Sequence, residues 1–201
     1  MGVEGAALDR AAAALAAGAV VGIPTDTVYG LAVDATVAGA TERLFALKQR
    51  PRGLALPVLV AGLDQARALS GELTPGARRL MDRCWPGALT VVVALDPDLD
   101  PDLDLGAAAG TVGLRCPDHP VPRRLAARVG ALATTSANLH GQAPYTEAAA
   151  LTAAFGDGVA TVVDGGRCAG EASTVVDATG EELRLLRPGA LAWADVLAAL
   201  G

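Results

Sequence analysis

The sequence predicts an α/β fold: a single domain over residues 1–201, with a twisted mixed sheet flanked by helices. Three observations carry this. Helix-like and strand-like segments interleave along the whole chain, the order that builds sheets covered by helices. Hydrophobic residues make up 52% and charged residues 19%, enough apolar surface for a packed core. No interior stretch has the composition of a flexible linker.

Taken in order, 4–17 has apolar residues at helical spacing, with Gly18 as its stop. Residues 19–23 form a short buried strand ending at Pro24, and 29–33 another. A helix over 37–47 places Leu44 and Leu47 on one face with Ala40 and is closed by Pro51. Residues 57–60 are strand-like, and 64–70 and 74–84 helical. The β-rich runs 89–95 and 111–116 follow, then helix 121–129, strand 131–135 and helix 147–155. Strands at 159–163, 174–177 and 183–186 precede a closing helix at 192–200. Aromatic residues are only 3%, so the core must be assembled from many Ala, Val and Leu side chains, each contributing little.

Several function classes are disfavoured. The net charge of −6 does not suit broad binding of nucleic acid, so direct binding of nucleic acid is expected to be weak or absent. The arginine groups 78/79/83 and 123/124/128 read as solvated helix faces. The cysteines, Cys84, Cys116 and Cys168, are odd in number and lack CxxC spacing, against a disulfide framework or zinc site. The apolar stretch 11–23 is too short for a span of ~20 residues. No leader pattern is visible, so a reducing, cytoplasmic setting without membrane attachment is expected. Residues 96–110, with Asp at every second position from 96 to 104, are not a calcium loop. Pro101 stands where the turn needs Gly, and Ala107 where a bidentate Glu belongs. A solvated acidic loop is expected there.

Phosphate-loop, dinucleotide and serine-hydrolase signatures are absent. With only His119 and His140, a multi-histidine metal site is excluded. What stands out is a set of hydroxyls, arginines and the one lysine, Lys48, among 16 basic residues. Thr25, Asp26 and Thr27 follow a strand in a turn, where such side chains ordinarily bond the local backbone. Asp26 reads as a turn cap before a metal contact. Lys48 and Arg50 end a helix, where they would complement its dipole. Thr111 and Arg115 lie four apart on a strand and face the same way, with small Gly113 between them. Arg115, set in an apolar run, needs an anion; a substrate carboxylate or an internal Asp would serve equally. Thr134 and Ser136 share a strand face, and Asn138 follows at a turn. Ser173 and Arg187 lie in the final motifs.

Together these segments resemble the YrdC-like family of threonylcarbamoyl-AMP synthases. The matches are PTDTVYGL, KQRP, WPGALT, GTVGLRCPDHP, TTSANLHG, STVVD and RPG, in family order from residue 24 to residue 189. Because the chain ends soon after RPG, it resembles the short form without an added C-terminal domain.

The resemblance implies a mixed α/β fold around a large, positively lined cavity. The implied reaction makes threonylcarbamoyl-adenylate and pyrophosphate from L-threonine, bicarbonate and ATP, with Mg2+ bridging phosphates. That is the first step of N6-threonylcarbamoyladenosine formation in tRNA, and a threonylcarbamoyl-transferase partner would take the adenylate. Lys48 and Arg50 would meet the nucleotide phosphates as the catalytic pair. Thr111, Ser136, Asn138 and Arg187 would complete the ATP side. Thr27, Arg115, Thr134 and Ser173 would hold L-threonine. No protein metal ligand is implied. Departures from the pattern fall at Leu54, Ala88, His140 and Ala172. A paralogue with another carbamoyl or nucleotide task and a non-catalytic RNA-binding module are the competing readings.

Overall fold

A computed structural model describes residues 3–49, 55–99, 103–106, 110–138 and 142–201. The elements are α1 (Val3–Ala16), β1 (Val21–Ile23), β2 (Gly30–Asp34), α2 (Ala40–Lys48), β3 (Val58–Leu59), α3 (Leu63–Leu69) and α4 (Pro75–Cys84). Then come β4 (Leu89–Ala94), β5 (Thr111–Arg115), α5 (Pro120–Val129), β6 (Leu132–Ser136) and α6 (Ala148–Phe155). The chain closes with β7 (Thr161–Val162), β8 (Thr174–Asp177), β9 (Arg184–Arg187) and α7 (Trp193–Ala198). Every expected element is present, with ends displaced by a few residues. Thr74 caps α4, its hydroxyl accepting from the Ala77 amide. Pro75 occupies the first turn, where no amide hydrogen is missed. His119 caps α5 in the same way through Nδ1, so this histidine is spent on structure.

The nine described strands form one mixed sheet in the order β7-β1-β2-β6-β3-β5-β4-β8-β9. Its two faces meet different surroundings, and the alternation of side chains along each strand sorts them. One face is covered along its length by the larger core cluster: Leu31 and Val33 of β2, Leu89 and Val91 of β4, and Val112 and Leu114 of β5 pack with Leu44, Leu80 and Met81 from α2 and α4. The opposite face carries a smaller cluster only over β1, β2, β3 and β6. There Val21, Ile23, Ala32 and Leu132 meet Leu8 and Leu15 of α1 and Leu125 of α5. Beyond that cover, β5 and β4 present Gly113, Thr90 and Val92, and β8 with the residue before it presents Val175 and Ser173, to a cavity instead of a helix. The helix layer stops halfway, and the site begins where it stops.

The acidic loop is not simply solvated. Among its described residues Leu105 is buried, and Leu99 and Leu103 pack on the core. The Thr41 hydroxyl donates to the Asp104 carbonyl at 2.7 Å. Alternation turns the leucines inward and Asp98 outward. Gly106, at φ 82°, has Phe45 so close that a Cβ would lie 2.1 Å from its ring. The loop is thereby pinned to α2.

β9 is an edge strand whose four residues are all exposed, so its attachment rests on β8 and on side-chain contacts at its two ends, Arg184 to Asp177 and Arg187 to Ser173. Asp177 accepts from the Thr179 amide and hydroxyl and from Arg184. Burial alone would push its carboxyl up; the Thr179 and Arg184 bonds outweigh burial and hold it below the ordinary carboxylate range. The charged form is therefore favoured in the folded state, and its stabilisation is present above the unfolded pKa and lost as pH falls through the depressed value. Asp177→Asn should cost about 1–2 kcal/mol at neutral pH. It should also flatten the acid limb of stability, read from melting temperatures between about pH 7 and about pH 2.

No described helix is long and apolar enough to cross a membrane.

Candidate active site

The cavity encloses about 510 Å³. Thr90 and Val92 of β4, Thr111, Gly113 and Arg115 of β5, and Ser173 and Val175 beside and on β8 make one wall. Thr134 and Ser136 of β6, with the 25–30 turn, make another, and Leu186 and Arg187 of β9 close the rim. The described lining thus holds two guanidinium groups, many hydroxyls and no carboxylate. Its charged lining side chains are both cationic, although the chain as a whole is acidic, and Asp26 pairs with Arg115 from outside the lining.

Arg115 is 6% exposed at the end of β5, and its fork is used on three sides. Nε donates to the Gly87 carbonyl at 3.0 Å, Nη1 to Thr27 Oγ1 at 2.8 Å and Nη2 to Asp26 Oδ1 at 2.7 Å. Burial pulls its pKa down and the Asp26 carboxylate pulls it back up. Among the described residues one N–H on each terminal nitrogen has no partner, and Arg115 lines the cavity.

This corrects the reading of Asp26. It caps no turn here; Thr25 does, its Oγ1 accepting from the amides of Thr27 and Val28, both at 3.1 Å, and donating to the Val28 carbonyl. Released from that task, Asp26 reaches a strand 89 residues away. Both anion options for Arg115 are thus compatible: the internal Asp is present, and open donors are left for a carboxylate.

Arg187 is placed by a turn that only glycine fits. A Cβ on Gly189 would lie 2.3 Å from the Ala172 carbonyl oxygen. The close approach sets Arg187 Nη2 2.7 Å from the Ser173 carbonyl and 3.1 Å from Ser173 Oγ. Ser173 Oγ in turn lies 2.9 Å from Thr90 Oγ1. Thr134 donates to the Pro57 carbonyl at 3.1 Å.

Lys48 stands in the last turn of α2, as its position in the sequence implies. Gln49, in a left-handed conformation at φ 50°, ends α2 through its backbone amide. The Lys48 ammonium, 8% exposed, crosses to the end of β6. It donates to the carbonyls of Ser136 (2.8 Å) and Asn138 (2.6 Å) and to Asn138 Oδ1 (2.7 Å). Ser136 Oγ donates to the same Oδ1 at 2.8 Å. Lys48, Ser136 and Asn138 thus form one hydrogen-bonded unit, of which Ser136 lines the cavity.

Of the residues singled out from sequence, Thr27, Thr111, Arg115, Thr134, Ser136, Ser173 and Arg187 line the cavity together. Lys48 and Asn138 sit behind Ser136. Ala172 is a lining residue, whereas Arg50, Leu54 and His140 lie outside the described residues. Asp26, Thr25 and Thr90 were not assigned to the site from sequence. Thr90 falls on the same strand face as Val92, and alternation along 89–95 alone would have flagged it.

The Sua5/YciO/YrdC family model, described as telomere recombination, matches residues 13–189. The chain belongs to this family. Among relatives, a Mycobacterium tuberculosis protein provisionally named a threonylcarbamoyl-AMP synthase is 41% identical over 192 residues, 95% of this chain and 88% of its own length. The Bacillus subtilis threonylcarbamoyl-AMP synthase is 37% identical over 96% of this chain, which spans 56% of that protein. Among structures, Sua5 of Pyrococcus abyssi complexed with L-threonine superposes with a TM-score of 0.88 at 32% identity. That alignment covers 96% of this chain and 57% of the Sua5 chain. Escherichia coli YciO, at 24% identity and a TM-score of 0.81, shares the Sua5/YciO/YrdC fold.

Proposed function

We propose that this protein is a threonylcarbamoyl-AMP synthase, a nucleotidyltransferase that joins L-threonine, bicarbonate and ATP into threonylcarbamoyl-adenylate with release of pyrophosphate. The observation that carries the reading is Arg115: a buried guanidinium with open donors, facing a hydroxyl-lined cavity in a member of this family. A buried cation held in fixed geometry is suited to a small carboxylate. The names of the relatives, and the L-threonine bound to the Pyrococcus abyssi protein, support threonine as its owner.

In this proposal Arg115 takes the threonine carboxylate, with Thr27, Thr134 and Ser173 around the amino acid. The amine, once deprotonated, adds to the bicarbonate carbon, and water leaves. An oxygen of the resulting N-carboxylate attacks the α-phosphorus of ATP, and pyrophosphate departs with the bonding pair. Thr111, Ser136, Asn138, Arg187, Lys48 and Arg50 serve the nucleotide. The residues supply position and positive charge where phosphate charge shifts.

The described residues offer Mg2+ no ready cage. Among the described residues no three His, Cys, Asp or Glu side chains converge on one point, and the Asp26 carboxylate is engaged by Arg115. Magnesium would enter as part of the nucleotide, held by its phosphates. The product would feed N6-threonylcarbamoyladenosine formation in tRNA.

Pyrophosphate release from the purified protein with ATP and Mg2+ tests this directly. Release is expected only when L-threonine and bicarbonate are both present. Release that ignores either would overturn the assignment.

A further inference from the structure

Thr90 lines the cavity and has no role in the proposal above. Thr90 is 5% exposed, in the middle of the cavity wall, with its hydroxyl 2.9 Å from Ser173 Oγ. Its methyl group packs over Gly113, where even a single added carbon would come within 3.3 Å of Thr90 Cγ2. A β-branched side chain held by its methyl has its hydroxyl direction set as well. Gly113 therefore aims the Thr90 oxygen at Ser173.

Proton counting leaves two arrangements of the pair, since either oxygen can donate to the other. Ser173 Oγ has two lone pairs and one hydrogen. Arg187 Nη2 donates to one lone pair. If Thr90 donates to the other, the Ser173 hydrogen has nowhere to go but the cavity. Two hydroxyls carry two protons and only one serves the bond between them; the second has no acceptor among the described residues.

We propose that Thr90 is a positioning residue: by donating to Ser173 it commits the Ser173 hydroxyl as a fixed donor to a carboxylate-type oxygen of the bound substrate. That oxygen belongs either to L-threonine or to the carboxylate formed on its amine. The inference rests on the synthase reading for the identity of the ligand, and on the geometry alone for the role of Thr90.

The test uses the full chain with T90V, T90S, S173A and T90V/S173A. Calorimetric titration gives the Kd for L-threonine, and pyrophosphate release gives KM for each substrate. T90V keeps the shape and loses the proton. It should weaken Kd for threonine, or KM for bicarbonate, about tenfold, the value of one well-placed hydrogen bond. KM for ATP should move by less than about twofold, and T90S should restore binding to within about threefold of the parent. A shift in Kd for threonine assigns the oxygen to the amino acid; a shift confined to bicarbonate assigns it to the new carboxylate. Because Thr90 acts through Ser173, T90V/S173A should be no worse than S173A. Unchanged constants in T90V, equal losses toward all three substrates, or additive losses in the double variant would each overturn the proposal. T90A, read by the same criteria, replaces T90V if the latter fails to fold. A parent protein that binds threonine without releasing pyrophosphate would sink the synthase reading, while the titrations would still decide the role of Thr90.

Discussion

Arg115→Ala is expected to produce the largest loss of any single change in the cavity, lowering kcat/KM for L-threonine by about a hundredfold to a thousandfold. Two effects add. The ligand loses the donors that would meet its carboxylate. The protein loses the group that ties β5 to the Gly87 carbonyl, to Thr27 and to Asp26. Removing one member of a largely buried ion pair leaves the other charge uncompensated, which costs about 3–5 kcal/mol when burial is complete. Asp26 is 18% exposed, so the smaller end of that range is expected. The two effects separate in a double variant. R115A/D26N should recover much of the melting temperature, because the unpaired carboxylate is gone, and recover none of the threonine affinity. Recovery of both would make the site role of Arg115 an indirect result of stability. Arg115→Lys should be nearly as damaging as Ala for threonine, since one ammonium cannot reach three divergent acceptors and still face a ligand.

That the pair exists at all was only half legible in the sequence. An arginine in the apolar run 111–116 needs an anion, and that need is readable from one strand. Which anion answers it depends on the sheet order, since Asp26 comes from the turn before β2 and Arg115 from the end of β5. The shared face of Thr111 and Arg115 and the grouping of Thr134 with Ser136 follow from a period of two and needed no tertiary knowledge. Local reasoning erred where two neighbouring residues compete for one job. Thr25 and Asp26 can each cap the turn, and long-range demand from Arg115 assigns the carboxylate elsewhere. Nor could local reasoning find the contact between Lys48 and the end of β6, because nothing local shows that β6 ends within reach of the last turn of α2. The half-covered sheet was equally invisible: whether α5 extends over β5 depends on packing direction, not on composition.

The Lys48 unit carries the second large prediction. The ammonium satisfies three oxygens at the end of β6, and two of them belong to Asn138. The three oxygens that receive the ammonium are neutral carbonyl oxygens, which do not themselves cancel its charge. Lys48→Ala should cut threonine-dependent pyrophosphate release by about a hundredfold or more, the scale of losing a preorganised charge at a phosphoryl-transfer site. The Ser136–Asn138 segment should also loosen, seen as faster amide hydrogen exchange, while β2 and β6 keep their pairing. Lys48→Met retains the buried stem and loses the charge, and it should match Ala in rate but hold stability better. Lys48→Arg retains charge, yet a planar fork cannot converge on three oxygens as an ammonium does, so its ATP affinity should fall between Met and the parent. A Met variant with near-normal turnover would leave Lys48 a structural tie between α2 and β6 and shift the phosphate role to other basic residues.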